Sequence, residues 1–280
     1  MKNALTAILA STVALAPLAA AAEACTNAGL KRIQDRGKLI VGVKADYKPW
    51  GYRDTDGSII GLEIDLAQKV ADTLGVGLEL VPVIASNRMQ FLQQGQTDLM
   101  IATMTDTPDR REMVGIKGPN YYASGTAAMT PKALAMTSWE DLRGKPICGV
   151  QGSFYLQKIE QDYGVTIAAF GNAAEGKQAL RDKKCVAFVY DDTTINADYA
   201  AGGWDDFEIS LPVEDYSPWG MAVAKEEESC VLGQIVSGLQ YQWHRDGTLV
   251  ELEKKWGVTP SPFLAEMHAR YGDPVAPAAQ

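Results

Sequence analysis

The feature that most constrains this fold is a repeated change of hydrophobic period between residues 38 and 102. Residues 38–43, KLIVGV, form a short run suited to a strand. In residues 62–74, Leu62, Leu66, Val70 and Leu74 recur every four positions with Ala67 and Ala71 beside them. That spacing predicts an amphipathic helix, which Gly75 stops. A strand over 78–84, a helix over 87–94 and an apolar strand over 98–102 follow. A β-α-β-α-β order calls for a parallel sheet with helices on its faces, so the class is α/β. In such sheets ligands sit beyond the carboxyl ends of strands.

One of those ends carries the stretch 103–111, TMTDTPDRR. Thr107 can cap a helix, Pro108 suits its first position, and Asp109 favours its positive end. A strand edge, the hydroxyls of Thr103 and Thr105 and a guanidinium at a helix start can together hold a carboxylate. An ordinary strand-to-helix turn with solvated arginines would give the same pattern.

Residues 1–22 read as a secretory signal, with Lys2 ahead of an apolar stretch over 4–18 and small residues before a cut after Ala22 or Ala24. Cys25 lacks the preceding leucine of a lipoprotein signal, and no later stretch is long enough to span a membrane. The mature chain is therefore expected in the periplasm. A net charge of -9 argues against nucleic acid and anionic membranes as partners. The mature chain has four cysteines, Cys25, Cys148, Cys185 and Cys230, which suit two disulfides in an oxidising compartment with three possible connectivities. Two histidines, His244 and His268, exclude a His-rich metal site, and no cofactor is expected.

Thr26 or Asn27 can cap a short helix whose apolar face includes Leu30 and Ile33 and which Gly37 ends. Residues 115–122 interrupt the alternation, and βα units then resume. Strands are expected over 125–129 and 146–150, and a helix opens at Gly152-Ser153 and runs to Tyr163. Asn172 and Glu175 form a capping box for a helix to Asp182, and 185–190 reads as a buried strand ending in Asp191-Asp192. Residues 215–225 are extended, and 227–245 and 248–256 are helices. Residues 171–178, GNAAEGKQ, approach a phosphate loop, but Gln178 stands where a magnesium-binding hydroxyl is needed and the capping box accounts for the segment. There is no G-x-S-x-G, H-E-x-x-H or G-x-G-x-x-G after a strand. Singly, Asp191 could cap a helix, Lys44 and Arg88 could be surface charges, and Trp50 could be core.

Together, VGVKADYKPWGY, DGSIIGLEIDLAQKVADTLG, NRMQFLQQGQTDLMIATMTDTPDRR, GKPICGVQGS, CVAFVYDD, PWGMAVAK and DGTLVELEKKWG resemble the solute-binding proteins of polar amino-acid ABC transporters, extracellular family 3. The resemblance implies a two-lobed periplasmic binding protein of type II, each lobe a mixed sheet flanked by helices, joined by two hinge crossings near 122–125 and 219–222. Residues 23–122 and 222–269 would form a discontinuous first lobe and 123–221 the second, with 270–280 a flexible tail. It also implies Cys25–Cys230 and Cys148–Cys185 pairs, and a monomer that delivers its ligand to a membrane permease.

Carried over by position, Arg110 matches the residue that grips an α-carboxylate, a task suited to a bidentate donor. Thr103 and Thr105 match strand-end contacts, Ser153 a second-lobe hydroxyl, Asp191 the acceptor of the α-ammonium, and Tyr47 and Trp50 aromatics that cover the ligand. Phe154 departs from the Ser or Thr usual beside Ser153, and Arg111 matches no ligand position and is expected as a solvated charge. Lys44 and Arg88 match the pattern of glutamate and aspartate binders, and a buried cation needs a partner that a ligand carboxylate could supply. Asp46 could neutralise Lys44 instead. Cystine, glutamine and opines are the alternative ligands, and a dehydratase on the same fold is the alternative class.

Overall fold

The structure, a computed structural model, describes Cys25 and residues 27–272. The signal, a cap at Thr26 and most of the expected tail lie outside the described residues.

The first sheet runs in the order Gly77–Pro82, Lys38–Val43, Leu99–Ile101, Ala222–Val223, Gly115–Ile116. Its first three strands are parallel, as the alternating pattern requires, and Ala222–Val223 enters antiparallel to its neighbours. Lys38–Val43 is central because Leu39, Val41 and Val43 have no exposed surface, and burial of such side chains is worth roughly 1.5–3 kcal/mol each. The Leu62–Leu74 helix buries the expected stripe and also Glu63, and ends on left-handed Gly75.

The second sheet runs in the order Thr166–Phe170, Pro146–Val150, Ala187–Asp191, Tyr122–Pro131, Phe207–Glu208, with Glu214–Trp219 also paired to Tyr122–Pro131. The two sheets are thus built from chain segments 38–116 plus 222–223, and 122–219. The chain passes between them at Tyr122 and after Trp219, which are register partners. Trp50 packs edge-on to Tyr122 at 4.4 Å and to Trp219 at 4.8 Å between ring centroids, which makes the crossing region rigid and dry.

Several details differ from expectation. Asn27 does not cap the Ala28–Arg36 helix; its Oδ1 accepts instead from the N–H of Val231, at the start of Val231–Arg245. That helix begins later than expected because Glu227 lies in a 3-10 turn and accepts from the Gly29 N–H. The strand Thr166–Phe170 and the helix Pro262–Tyr271 had no prior reading. Arg270 and Tyr271 belong to that last helix, so any tail starts after them. Residues 171–178 form a capped helix start: the N–H of Glu175 is held by the Asn172 Oδ1 and its carboxylate accepts from Gly171.

Both cysteine pairs are disulfides, Cys25–Cys230 and Cys148–Cys185, and the second staples two neighbouring parallel strands. Its partners are 37 residues apart, and a loop of that size confines the unfolded chain by about 4 kcal/mol. The double substitution Cys148→Ser, Cys185→Ser is expected to lower the unfolding free energy by that order in a denaturant titration, and non-reduced peptide mapping of the parent should show no link between the two sheets' segments.

Candidate functional site

The strand Leu99–Ile101 delivers the chain to Thr103, whose φ of 46° is left-handed, a conformation rarely adopted by a β-branched residue. Buried side chains hold it there. Glu63 Oε1 accepts from the Thr103 N–H at 2.7 Å and from the Tyr121 hydroxyl. Arg88, at the start of its helix, donates Nη1 to the carbonyls of Ala102 and Thr103. Arg88 is 3% exposed and its Nε has no partner in the protein.

Further along, Thr107 caps Pro108–Met113, with Pro108 at its first position, as the sequence predicted. Arg110 is buried. Its Nη1 donates to the Thr105 carbonyl at 2.8 Å and its Nη2 crosses to the Gly152 carbonyl of the second lobe at 3.1 Å. Burial and then the nearby Arg88 cation pull its pKa down to about 9. Arg111, expected as a solvated charge, instead forms a two-pronged pair with Asp106, which Asn120 also holds.

From the second lobe, Asp191 occupies the cap position of Asp192–Ala200, yet its side chain makes no capping bond. Its Oδ2 accepts from the Tyr47 hydroxyl of the first lobe at 2.7 Å. Burial raises the Asp191 carboxyl to about 7, opposed by the Tyr47 hydrogen bond and by the Arg88 and Arg110 cations.

Arg88, Thr103, Thr105, Ser153 and Asp191 line one narrow cleft, with Ala85, Phe154, Tyr155 and Tyr190. Arg110 reaches across its edge. Lys44, Tyr47 and Trp50 are outside this lining. Lys44 is buried and lies 2.9 Å from Asp46, and Trp50 belongs to the aromatic cluster at the crossings. Tyr155 was missed because a tyrosine opening an amphipathic helix looks like core. Glu63 was missed although an acid within an apolar helical stripe is a readable signal.

The cleft encloses about 10 Å³, room for a single water, so anything larger enters only when the lobes part. A groove of about 480 Å³ at Pro131–Ala133, Leu180 and Phe207 is bigger, but no buried polar group converges on it.

Polar groups from two lobes meeting on one narrow cleft suit a protein that captures a small solute. The chain belongs to the bacterial extracellular solute-binding proteins, family 3, whose profile matches residues 39–259. It is 26% identical to the arginine-binding extracellular protein ArtP of Bacillus subtilis (83% of this chain, 91% of the relative). It is 30% identical to the glutamine-binding protein GlnH of the same organism (81% and 84%). It is 23% identical to a glutamate/aspartate import solute-binding protein of Salmonella typhimurium (88% and 86%). Among solved structures, the ancestral amino acid-binding protein AncCDT-1, a precursor of cyclohexadienyl dehydratase, superposes with a TM-score of 0.72 at 30% identity (81% and 98%).

Gly152 provides a test of closure. It has a φ of 87°, and a Cβ built on it would lie 2.7 Å from the Ser86 nitrogen of the other lobe. Gly152→Ala should leave both lobes folded and disfavour their contact. Solution scattering at saturating ligand should then report a larger radius of gyration than the parent, with affinity at least tenfold weaker; an unchanged radius would mean that the lobes absorb the methyl.

Proposed function

We propose that this protein captures an L-amino acid with an acidic side chain, glutamate or aspartate, in the periplasm and hands it, as a monomer, to an ABC transporter permease. The carrying observation is the charge arrangement at the cleft. Arg110 and Asp191, from opposite lobes, suit the α-carboxylate and α-ammonium that every amino acid shares. Arg88 then remains as a buried guanidinium with a donor to spare. Its acceptors are two neutral carbonyls, and a ligand carboxylate would add an anionic one. Lys44 adds less, because Asp46 already pairs with it.

A ligand that touches both lobes binds the closed arrangement better than the open one and so selects it. Tyr47 closes on Asp191 from the first lobe and Arg110 on Gly152. Both contacts form only when the lobes meet, so closure and ligand capture reinforce each other. A dissociation constant near micromolar corresponds to about -8 kcal/mol, which a few charge-assisted hydrogen bonds can supply.

One observation favours a second reading. A carboxyl raised to about 7 beside two guanidiniums, as Asp191 is, could act as a general acid in a dehydratase. Turnover of a cyclohexadienyl acid would support that reading; binding without turnover supports transport.

A thermal-shift screen of the twenty amino acids plus cystine is expected to single out glutamate or aspartate through a raised melting temperature. Tight arginine or cystine binding with none for the acidic pair rejects the acidic ligand. Arg88→Ala should cost the acidic ligand about 2 kcal/mol, roughly thirtyfold, more than it costs glutamine in calorimetry. For glutamine, which carries no side-chain charge, affinity should fall as the pH drops below about 7, because Asp191 takes up a proton and loses its attraction for the ammonium. Asp191→Asn should bind weakly at all pH values and show a flat profile.

A further inference from the structure

Behind the cleft lining lies a buried cluster that the capture scheme does not use. Glu63 sits in the first turn of Leu62–Leu74 with no exposed surface. Around it are Lys44 at the end of Lys38–Val43, Arg88 at the start of its helix, and Tyr121 next to the first crossing. Tyr190 of the second lobe also feels its charge, as it does that of Asp46. Lys44 is 1% exposed and Tyr121 has no exposed surface, so solvent does not screen these groups from one another.

We propose that Glu63, although outside the cleft lining, is the residue that sets the charge preference of the amino-acid site, acting through Arg88 and Thr103. The proposal rests on the amino-acid reading above. Lys44 and Asp46 offset each other at 2.9 Å. Arg88 has no such close carboxylate, and Glu63 is the anion of its own lobe that offsets it through the low-dielectric interior. With Glu63 ionised, the cluster is neutral and Arg88 serves an amide side chain nearly as well as a carboxylate. With Glu63 neutral, Arg88 keeps only Asp191 of the opposite lobe, on which the ligand ammonium also draws, so an anionic side chain is favoured and a cationic one opposed. Burial raises the Glu63 carboxyl to about 7, against the Tyr121 and Thr103 hydrogen bonds and the two cations, which brings both states within reach near neutral pH. Tyr121 is itself pushed well above its ordinary value by burial, so it stays a neutral donor.

The geometry separates charge from scaffolding. Only Oε1 of Glu63 is used, by the Thr103 N–H and the Tyr121 hydroxyl, while Oε2 has no partner. An amide can keep both accepted bonds through its oxygen. Glu63→Gln therefore keeps Thr103 held and removes the charge, whereas Glu63→Ala removes both.

The test is calorimetry on the full mature protein with isosteric pairs that differ only in side-chain charge: glutamate with glutamine, and arginine with citrulline. The readout is the ratio of the two dissociation constants within a pair. Asp191 titrates in the same range and also acts on Arg88, so it is the difference between the parent and Glu63→Gln, which share that titration, that reports on Glu63. In the parent, preference for glutamate over glutamine should rise as the pH is lowered from 8.5 to 6, and preference for arginine over citrulline should fall. Glu63→Gln at pH 8 should show the shifted ratio, by about tenfold, with little further change at pH 6. Ratios equal in parent and variant, and flat with pH while binding persists, overturn the proposal. So does a variant that weakens both members equally, the mark of a merely structural role. Should Glu63→Gln not fold, the same pH series on Asp191→Asn, which lacks the other titrating carboxyl, decides: a ratio that still shifts with pH supports the proposal and a flat one overturns it. Binding of neither pair would overturn the amino-acid reading, and this proposal with it.

Discussion

Much of this site depends on one backbone feature, the left-handed turn at Thr103. The strand Leu99–Ile101 ends there, and continuing in extended form would carry the chain past the cleft. The turn instead places Thr103 and Thr105 on the lining. Such a conformation costs on the order of 1 kcal/mol or more for a β-branched residue. Glu63 holds its N–H while Arg88 holds the carbonyls on either side. The side chains that fix this backbone are thus themselves buried charges beside the cleft, a carboxylate and a guanidinium held on either side of one residue.

A second constraint is the aromatic cluster at the crossings. Trp50, Tyr122 and Trp219 are almost fully buried, and Tyr47 extends the cluster toward Tyr190 at 5.2 Å. These rings fill the place where both crossing strands pass, so the two sheets meet over one shared apolar contact. Glu253, accepting from the Tyr122 hydroxyl and from the Ser261 N–H, ties the C-terminal segment to the same cluster.

Much of this architecture was legible in the residues. The β-α-β-α-β order, the helix Leu62–Leu74 and the Thr107 cap follow from local periodicity and capping, which depend on nearby neighbours. The two disulfide pairs came from family resemblance, since spacing left three connectivities open. What escaped notice depended on contacts distant in sequence. Asn27 looked like a cap for the helix beside it, but its partner lies 204 positions away. Arg111 looked solvated because Asp106 and Asn120 meet it only in the folded turn. Lys44 is the converse case: the neutralising partner that its own neighbourhood offered, Asp46, is the one it has. The roles of Trp50 and Tyr47 divided on which surface each ring faced, which an aromatic-rich loop does not reveal.

The Cys25–Cys230 bridge spans 205 positions and joins the chain's start to the threshold of Val231–Arg245. The second sheet is complete once residue 219 has been laid down, whereas the first must wait for Ala222–Val223. In a chain that emerges from its amino end, the inserted lobe can thus finish before the lobe that surrounds it. The bridge ties residue 25 to residue 230 around the whole inserted lobe, so the two arms of the surrounding lobe are joined covalently without passing through the lobe between them.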